Sequence, residues 1–291
     1  MQHRPFGSSG FDVSVLGFGA GHLGRVEPDA VSPLLNGVLD LGITLIDTAR
    51  GYGPSEEYIG QHLAGRRDEF TLVTKVGYDV PGYDDWTREA VVHGIDAALQ
   101  RLRTDRIDVC LLHSCDLATL QRGDVIAGLT EAVAAGKVRI AGYSGENDAL
   151  TWAIGSGHFG AVETSVNIAD QWSMHHALRD AASAGSAVIA KRPIANVAWT
   201  FPERPVGAYA EDYWVRLQQM GVAPHNGDWL DAALRFSAFA PGVSSAIVGS
   251  ASLAHMRAMA DLVERGPLDE SAVAPWRDAW TVHGTSWSGL V

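Results

Sequence analysis

Eight short apolar runs punctuate this chain, at residues 15–19, 43–47, 70–75, 107–113, 138–143, 161–166, 186–190 and 243–248. Each has the length of one strand, and between them apolar residues recur at helical spacing. Thr87 is placed to cap a helix whose Val91, Ile95, Leu99 and Leu102 share a face. Ile126, Leu129 and Val133 repeat the pattern in the next helix, which ends at Gly136. Pro54, Glu56 and Glu57 suit another helix start, where N–H groups lack partners and the dipole favours carboxylates. Strands joined through single helices run parallel, and eight such units close a ring. The expected fold class is therefore α/β, a (β/α)8 TIM barrel. Arg4 to Ser14 reads as a β-hairpin ahead of it, with Gly7-Ser8-Ser9-Gly10 at the turn.

The regular spacing breaks after the seventh run. Residues 190–228 form a long loop carrying Trp199, Pro202, Pro205, Tyr209, Tyr213 and Trp214. A second excursion follows residue 265, with Trp276, Trp280 and Trp287. Loops this long in compact domains are usually functional. No repeat or low-complexity tract marks a boundary, so residues 1–291 read as one barrel domain.

A hydrophobic content of 46% supplies a large core. No stretch of 18 apolar residues suggests a membrane span, and Met1 to Phe6 lacks the apolar centre of a signal peptide. Cys110 and Cys115 flank His113; neither a disulfide nor a zinc site is expected from them, and the chain reads as cytoplasmic. A net charge of −12, spread without acidic blocks, argues against a nucleic-acid partner. The oligomeric state is not legible.

Three successive runs end in reactive side chains. The second gives Asp47 and, five residues on, Tyr52; the third ends at Lys75, the fourth at His113. Strand ends on one face of a barrel are where active sites are built. A phenol is a poor acid at neutral pH, with a pKa of about 10, but a nearby ammonium favours its phenolate. Lys75 can supply that charge, with Asp47 holding it in place. His113 can donate a hydrogen bond to a substrate oxygen while Tyr52 protonates it. The combination points to carbonyl reduction, for which a nicotinamide must bring the hydride.

The chain resembles the aldo-keto reductase family over nearly its whole length. Leu16-Gly17-Phe18-Gly19, Asp47-Thr48-Ala49 with Tyr52-Gly53, Thr74-Lys75 and Leu111-Leu112-His113 match family motifs in order. The resemblance implies an NAD(P)H-dependent oxidoreductase acting on a small carbonyl or sugar. Tyr52 would be the proton donor, Lys75 and Asp47 would tune it, and His113 would orient the carbonyl. It also implies cofactor contacts at Gly19, Ala20 and Asp47, with NADP(H) favoured and NAD(H) open. Around the nicotinamide the chain departs from the pattern. Ser144 matches a Ser-Asn pair, but Gly145 stands where Asn is usual. Glu163 replaces a glutamine; a carboxylate can accept from the carboxamide nitrogen but cannot donate. Lys191-Arg192 stands where a stacking tyrosine is common, so Lys191 or Arg192 is expected to contact the dinucleotide phosphates. After the eighth run, Gly249, Ser250, Ser252 and His255 occupy the adenosine-phosphate region, where some branches carry Lys and Arg. Trp86 and Trp199 are candidates for the substrate wall, together with Tyr52 and His113. Two other readings stay open: an NAD-linked sugar or alcohol dehydrogenase working in the oxidative direction, and a cofactor-sensing regulatory subunit with little turnover.

Overall fold

The computed structural model describes residues 1–291, the side chain of His225 excepted. Eight parallel strands form a closed barrel: β3 (Leu16–Gly19), β4 (Leu45–Asp47), β5 (Thr71–Val76), β6 (Ile107–His113), β7 (Val138–Ser144), β8 (Ala161–Ser165), β9 (Ala187–Lys191) and β10 (Ser245–Val248), with β10 closing on β3. Strands β1 (His3–Pro5) and β2 (Asp12–Ser14) form the antiparallel hairpin. All eight expected runs are strands, with ends that differ by at most two residues. Among the described residues, no helix is long and apolar enough to cross a membrane.

Alternation along each strand makes two cores. In β6, Val109 and Leu111 point into the barrel, whereas Cys110 and Leu112 face the helices. Leu45, Val73, Ala161, Ile189 and Ile247 complete the interior. Phe6 and Val13 of the hairpin join this interior cluster at 1% and 0% exposure, so the hairpin stoppers the floor of the barrel. Outside, Val91, Ile95 and Leu102 of α3 (Arg88–Leu102) bury their shared face, and Thr87 Oγ1 accepts from Ala90 N at 3.1 Å as the cap. In α5 (Asp124–Ala134) Ile126 and Leu129 are buried, but Val133 is 36% exposed. It lies one turn beyond Leu129, past the edge of the packed stripe.

The two excursions are more ordered than loops. The first contains α9 (Glu211–Met220), and the second α12 (Glu270–His283). Tyr213, Leu217 and Met220 pack with Trp276 and Trp280 in a cluster of their own, beside α10 (Trp229–Ala238). Leaving this apolar surface uncovered would forgo roughly 2 kcal/mol per large side chain.

Candidate active site

The alternation that packs the barrel also builds its rim. In six strands a polar residue lies two positions beyond an interior one, on the same face. Asp47 follows Leu45, Lys75 follows Val73, His113 follows Leu111, Ser144 follows Gly142, Glu163 follows Ala161 and Lys191 follows Ile189. The interior changes from hydrocarbon to ionisable within one step of the pleat.

Lys75 is fully buried, and its Nζ donates to Asp47 Oδ1 at 2.5 Å, Asp47 Oδ2 at 2.6 Å and the Thr48 carbonyl at 3.2 Å. Glu163 Oε2 lies 3.3 Å from the same ammonium and has no hydrogen-bond donor of its own. Two buried carboxylates thus share one cation. Burial opposes the Lys75 charge, but Asp47 and Glu163 outweigh it and hold the ammonium protonated well above its usual range. Asp47, buried and facing the Glu163 charge, is pushed up; burial also opposes ionisation of Glu163, but Lys75 and Lys191 hold it down. The pair keeps its last proton as a unit.

Tyr52 stands over this triad, with Lys75 Nζ 5.1 Å from its ring centroid. Burial pushes its phenol up to about 12, although Lys75 pulls the other way as the sequence suggests. The His113 ring sits edge-on to Tyr52, centroids 5.9 Å apart. Burial, helped by the Lys75 charge, pushes the imidazole down to about 3, so it is neutral at pH 7. Its Nδ1 lies 3.0 Å from the Tyr78 hydroxyl. A phenol is the better donor and an imidazole nitrogen the better acceptor. Tyr78 therefore donates, and the ring proton resides on Nε2. Sequence reasoning missed Tyr78. Its only signal was a position three residues beyond Lys75 in a loop that must return over the mouth. That loop is held by Gly77, at φ +133°, where any side chain would run into the Trp86 ring, and Trp86 packs on Tyr78 at 5.5 Å.

A groove of about 690 Å³ runs outward from Asp47 and Tyr52 across the β9, β10, β3 and β4 half of the mouth. Gly19, His22, Arg192, Tyr209, Ser250 and His255 line it. At Gly249 a Cβ would meet His22 Nδ1 at 2.7 Å and the Gly19 carbonyl at 3.0 Å, so a lysine there would require His22 to move. The groove leads to α11 (Leu253–Glu264), where Ser252 accepts from His255 N and the N–H groups of Leu253 and Ala254 remain to face a phosphate. Its volume, glycine walls and helix start fit an extended dinucleotide.

Other expected residues lie elsewhere. Ala20 is buried and its carbonyl accepts from Ser55 Oγ. Ser252 caps α11 by accepting from His255 N at 3.4 Å. Lys191 does not line the groove; it turns to Glu146, 3.3 Å away, and to Ser144 Oγ at 3.4 Å. Arg192 does border the groove, but its Nη1 donates to Ser165 Oγ at 3.1 Å and to the Leu290 carbonyl. Of the two cations, then, Arg192 is the one that borders the groove. Trp199 stacks on Trp229 at 5.5 Å within the cluster formed by the excursions, away from Tyr52's groove. Ser144 Oγ donates to Glu163 Oε1 at 3.2 Å, and Gly145 follows it at the rim.

A sequence model described as "Aldo/keto reductase family" matches residues 15–281. The chain belongs to the aldo-keto reductase family. L-galactose dehydrogenase of Arabidopsis thaliana is 32% identical over 157 residues, 50% of this chain and 49% of that one. L-glyceraldehyde 3-phosphate reductase of Escherichia coli is 33% identical over 159 residues, 50% of this chain and 45% of that one. The chain thus matches about half the length of these relatives. The holo form of an aldo-keto reductase from Bacillus halodurans superposes with a TM-score of 0.84 at 24% identity, over 96% of each chain, which is a likeness of fold.

Proposed function

We propose that this aldo-keto reductase reduces an aldehyde or ketone, with Tyr52 as the proton donor. The observation that carries the reading is the Asp47–Lys75–Glu163 triad under Tyr52, with a neutral His113 beside the ring. A nicotinamide bound in the groove supplies the hydride. The carbonyl oxygen accepts from His113 Nε2–H and from the Tyr52 hydroxyl. As charge develops on that oxygen, Tyr52 gives up its proton and Lys75 stabilises the phenolate left behind. The Glu163 Oε2 atom, buried and without a donor, suits the carboxamide nitrogen of the nicotinamide.

A phenol held near 12 is protonated at neutral pH, the form that the proton-donor role requires. Oxidation of a sugar or alcohol uses the same groups in reverse, with the Tyr52 phenolate as base. NADP(H) is what the family resemblance favours. The end of the groove near Ser250 and His255 is lined by no Lys or Arg, which supports NAD(H) as well. Fluorescence titration with NADPH and NADH, followed by turnover of a carbonyl panel by wild type and Tyr52→Phe, tests the reading. It stands if the substitution abolishes turnover while cofactor still binds. It falls if no carbonyl is reduced, or if Tyr52→Phe turns over normally.

A further inference from the structure

Two cavities open at the barrel mouth, and Asp47 and Tyr52 line the first. The dinucleotide groove takes one half of the barrel mouth. A second cavity of about 730 Å³ opens over the other half, above β6, β7 and β8. It starts one residue from each of two site residues, since Ser114 follows His113 and Gly145 follows Ser144. Trp172 and Trp287 bring aromatic surface to it, and Asp116 and Asp148 bring carboxylates. His176 also lines it, and among the described residues no lysine or arginine does. Among the described residues, the side chains of Ser114, Asp148, Thr285 and Ser286 make no hydrogen bond within the chain, so their polar atoms are free for a ligand.

The wall formed by residues 285–291 is anchored. Gly289 exchanges hydrogen bonds with the Asn147 side chain at 2.7 and 3.0 Å, Leu290 N donates to Asp170 Oδ2 at 2.8 Å, and Arg216 donates to the Ser288 carbonyl at 2.7 Å. The Arg216 guanidinium also lies over the Trp287 ring at 5.0 Å. A cavity with one wall pinned in this way is preformed for a ligand.

We propose that this cavity holds the body of the substrate, and that the substrate is a neutral polyhydroxylated carbonyl compound, an aldose or a ketose. The inference rests on the reductase reading above and adds the substrate class to it. Carboxylate and hydroxyl oxygens accept protons from sugar hydroxyls, while indole faces cover the C–H face of a sugar. A phosphorylated or carboxylated substrate would meet Asp116 and Asp148 with no lysine or arginine in the lining to offset its charge. A purely apolar aldehyde would leave those polar groups dehydrated without partners. The reacting carbonyl points to His113 and Tyr52, and the hydroxylated chain extends over Ser114 and Gly145.

The test is steady-state kinetics with both cofactors on matched compounds: neutral aldoses and ketoses, their phosphates and uronic acids, 4-nitrobenzaldehyde, and betaine aldehyde as a cationic probe. The best neutral sugar should exceed its phosphate at least tenfold in kcat/KM. Trp172→Ala should lower the sugar-to-nitrobenzaldehyde ratio of kcat/KM about tenfold. Asp148→Lys, on the exposed first turn of its helix, should raise the phosphate-to-sugar ratio several-fold. Preference for a phosphate, an acid or betaine aldehyde overturns the proposal, as do unchanged ratios in both variants. Turnover of simple aldehydes alone sinks the substrate class and leaves the reductase reading standing. Turnover of nothing sinks both.

Discussion

His113→Gln should make the protein less sensitive to mild acid. The native imidazole is pushed down to about 3 by burial and by Lys75, whereas an unfolded histidine titrates near 6.5. Below pH 6.5 the unfolded chain therefore takes up a proton that the native His113 refuses. The unfolded state binds more protons there, so stability falls as pH falls, until the native pKa is reached. From pH 6.5 to 5 the loss is about 1.4 kcal/mol for each pH unit, about 2 kcal/mol in all. It grows to about 5 kcal/mol by pH 3, within a total stability of about 5–15 kcal/mol. A glutamine side chain has no such titration. Urea unfolding of wild type and variant at pH 7 and pH 5, fitted with a common m-value, measures the difference. Carboxylates elsewhere titrate in both proteins and cancel in the comparison. The variant should be the less stable protein at pH 7, having lost the Tyr78 contact, but should lose about 2 kcal/mol less on going to pH 5. Equal losses in the two proteins would show that His113 is not held neutral, and the assigned proton on Nε2 would fall with it.

Tyr78→Phe removes one hydrogen bond to His113 Nδ1, worth about 1–1.5 kcal/mol, and should lower kcat about tenfold with cofactor affinity unchanged; ¹⁵N spectra should show His113 protonated on Nε2 in the wild type and mixed between nitrogens in the variant. Asp170 is pushed up to about 7 by burial, so Asp170→Asn should stabilise the protein more at pH 8 than at pH 5, where the native carboxyl is protonated; melting temperatures at the two pH values check the sign. Leu111→Ala leaves a hole in the barrel interior directly beneath His113 and should cost about 3 kcal/mol in chemical denaturation.

The barrel was legible because both of its periodicities were written out. Strand runs such as Ile107 to His113 and the face Val91-Ile95-Leu102 are set by local chemistry. Asp47, Tyr52, Lys75 and His113 were legible because strand ends deliver them in order. Two things were not legible. Tyr78 and Glu146 act through contacts that only closure of the ring creates: Glu146 accepts from Ser165 N at 2.9 Å, across from a neighbouring strand. The orientation of long side chains was also hidden. Lys191 and Arg192 were placed by charge, but Glu146, Ser165 and the Leu290 carbonyl capture them. Nothing near residue 191 in sequence announces a partner about a hundred residues later.

The rim of polar residues, each two positions beyond an apolar interior neighbour, has a consequence for assembly. A slip of one residue in β5 would turn Lys75 out toward the helices and present Thr74 or Val76 to Asp47 and Glu163. The same slip would carry Val73 out of the interior. No misregistered barrel can keep its hydrocarbon and lose only its chemistry, or the reverse. Recovered turnover after refolding should therefore report strand register as well as collapse, and intermediates that regain helix and compactness ahead of register should be silent.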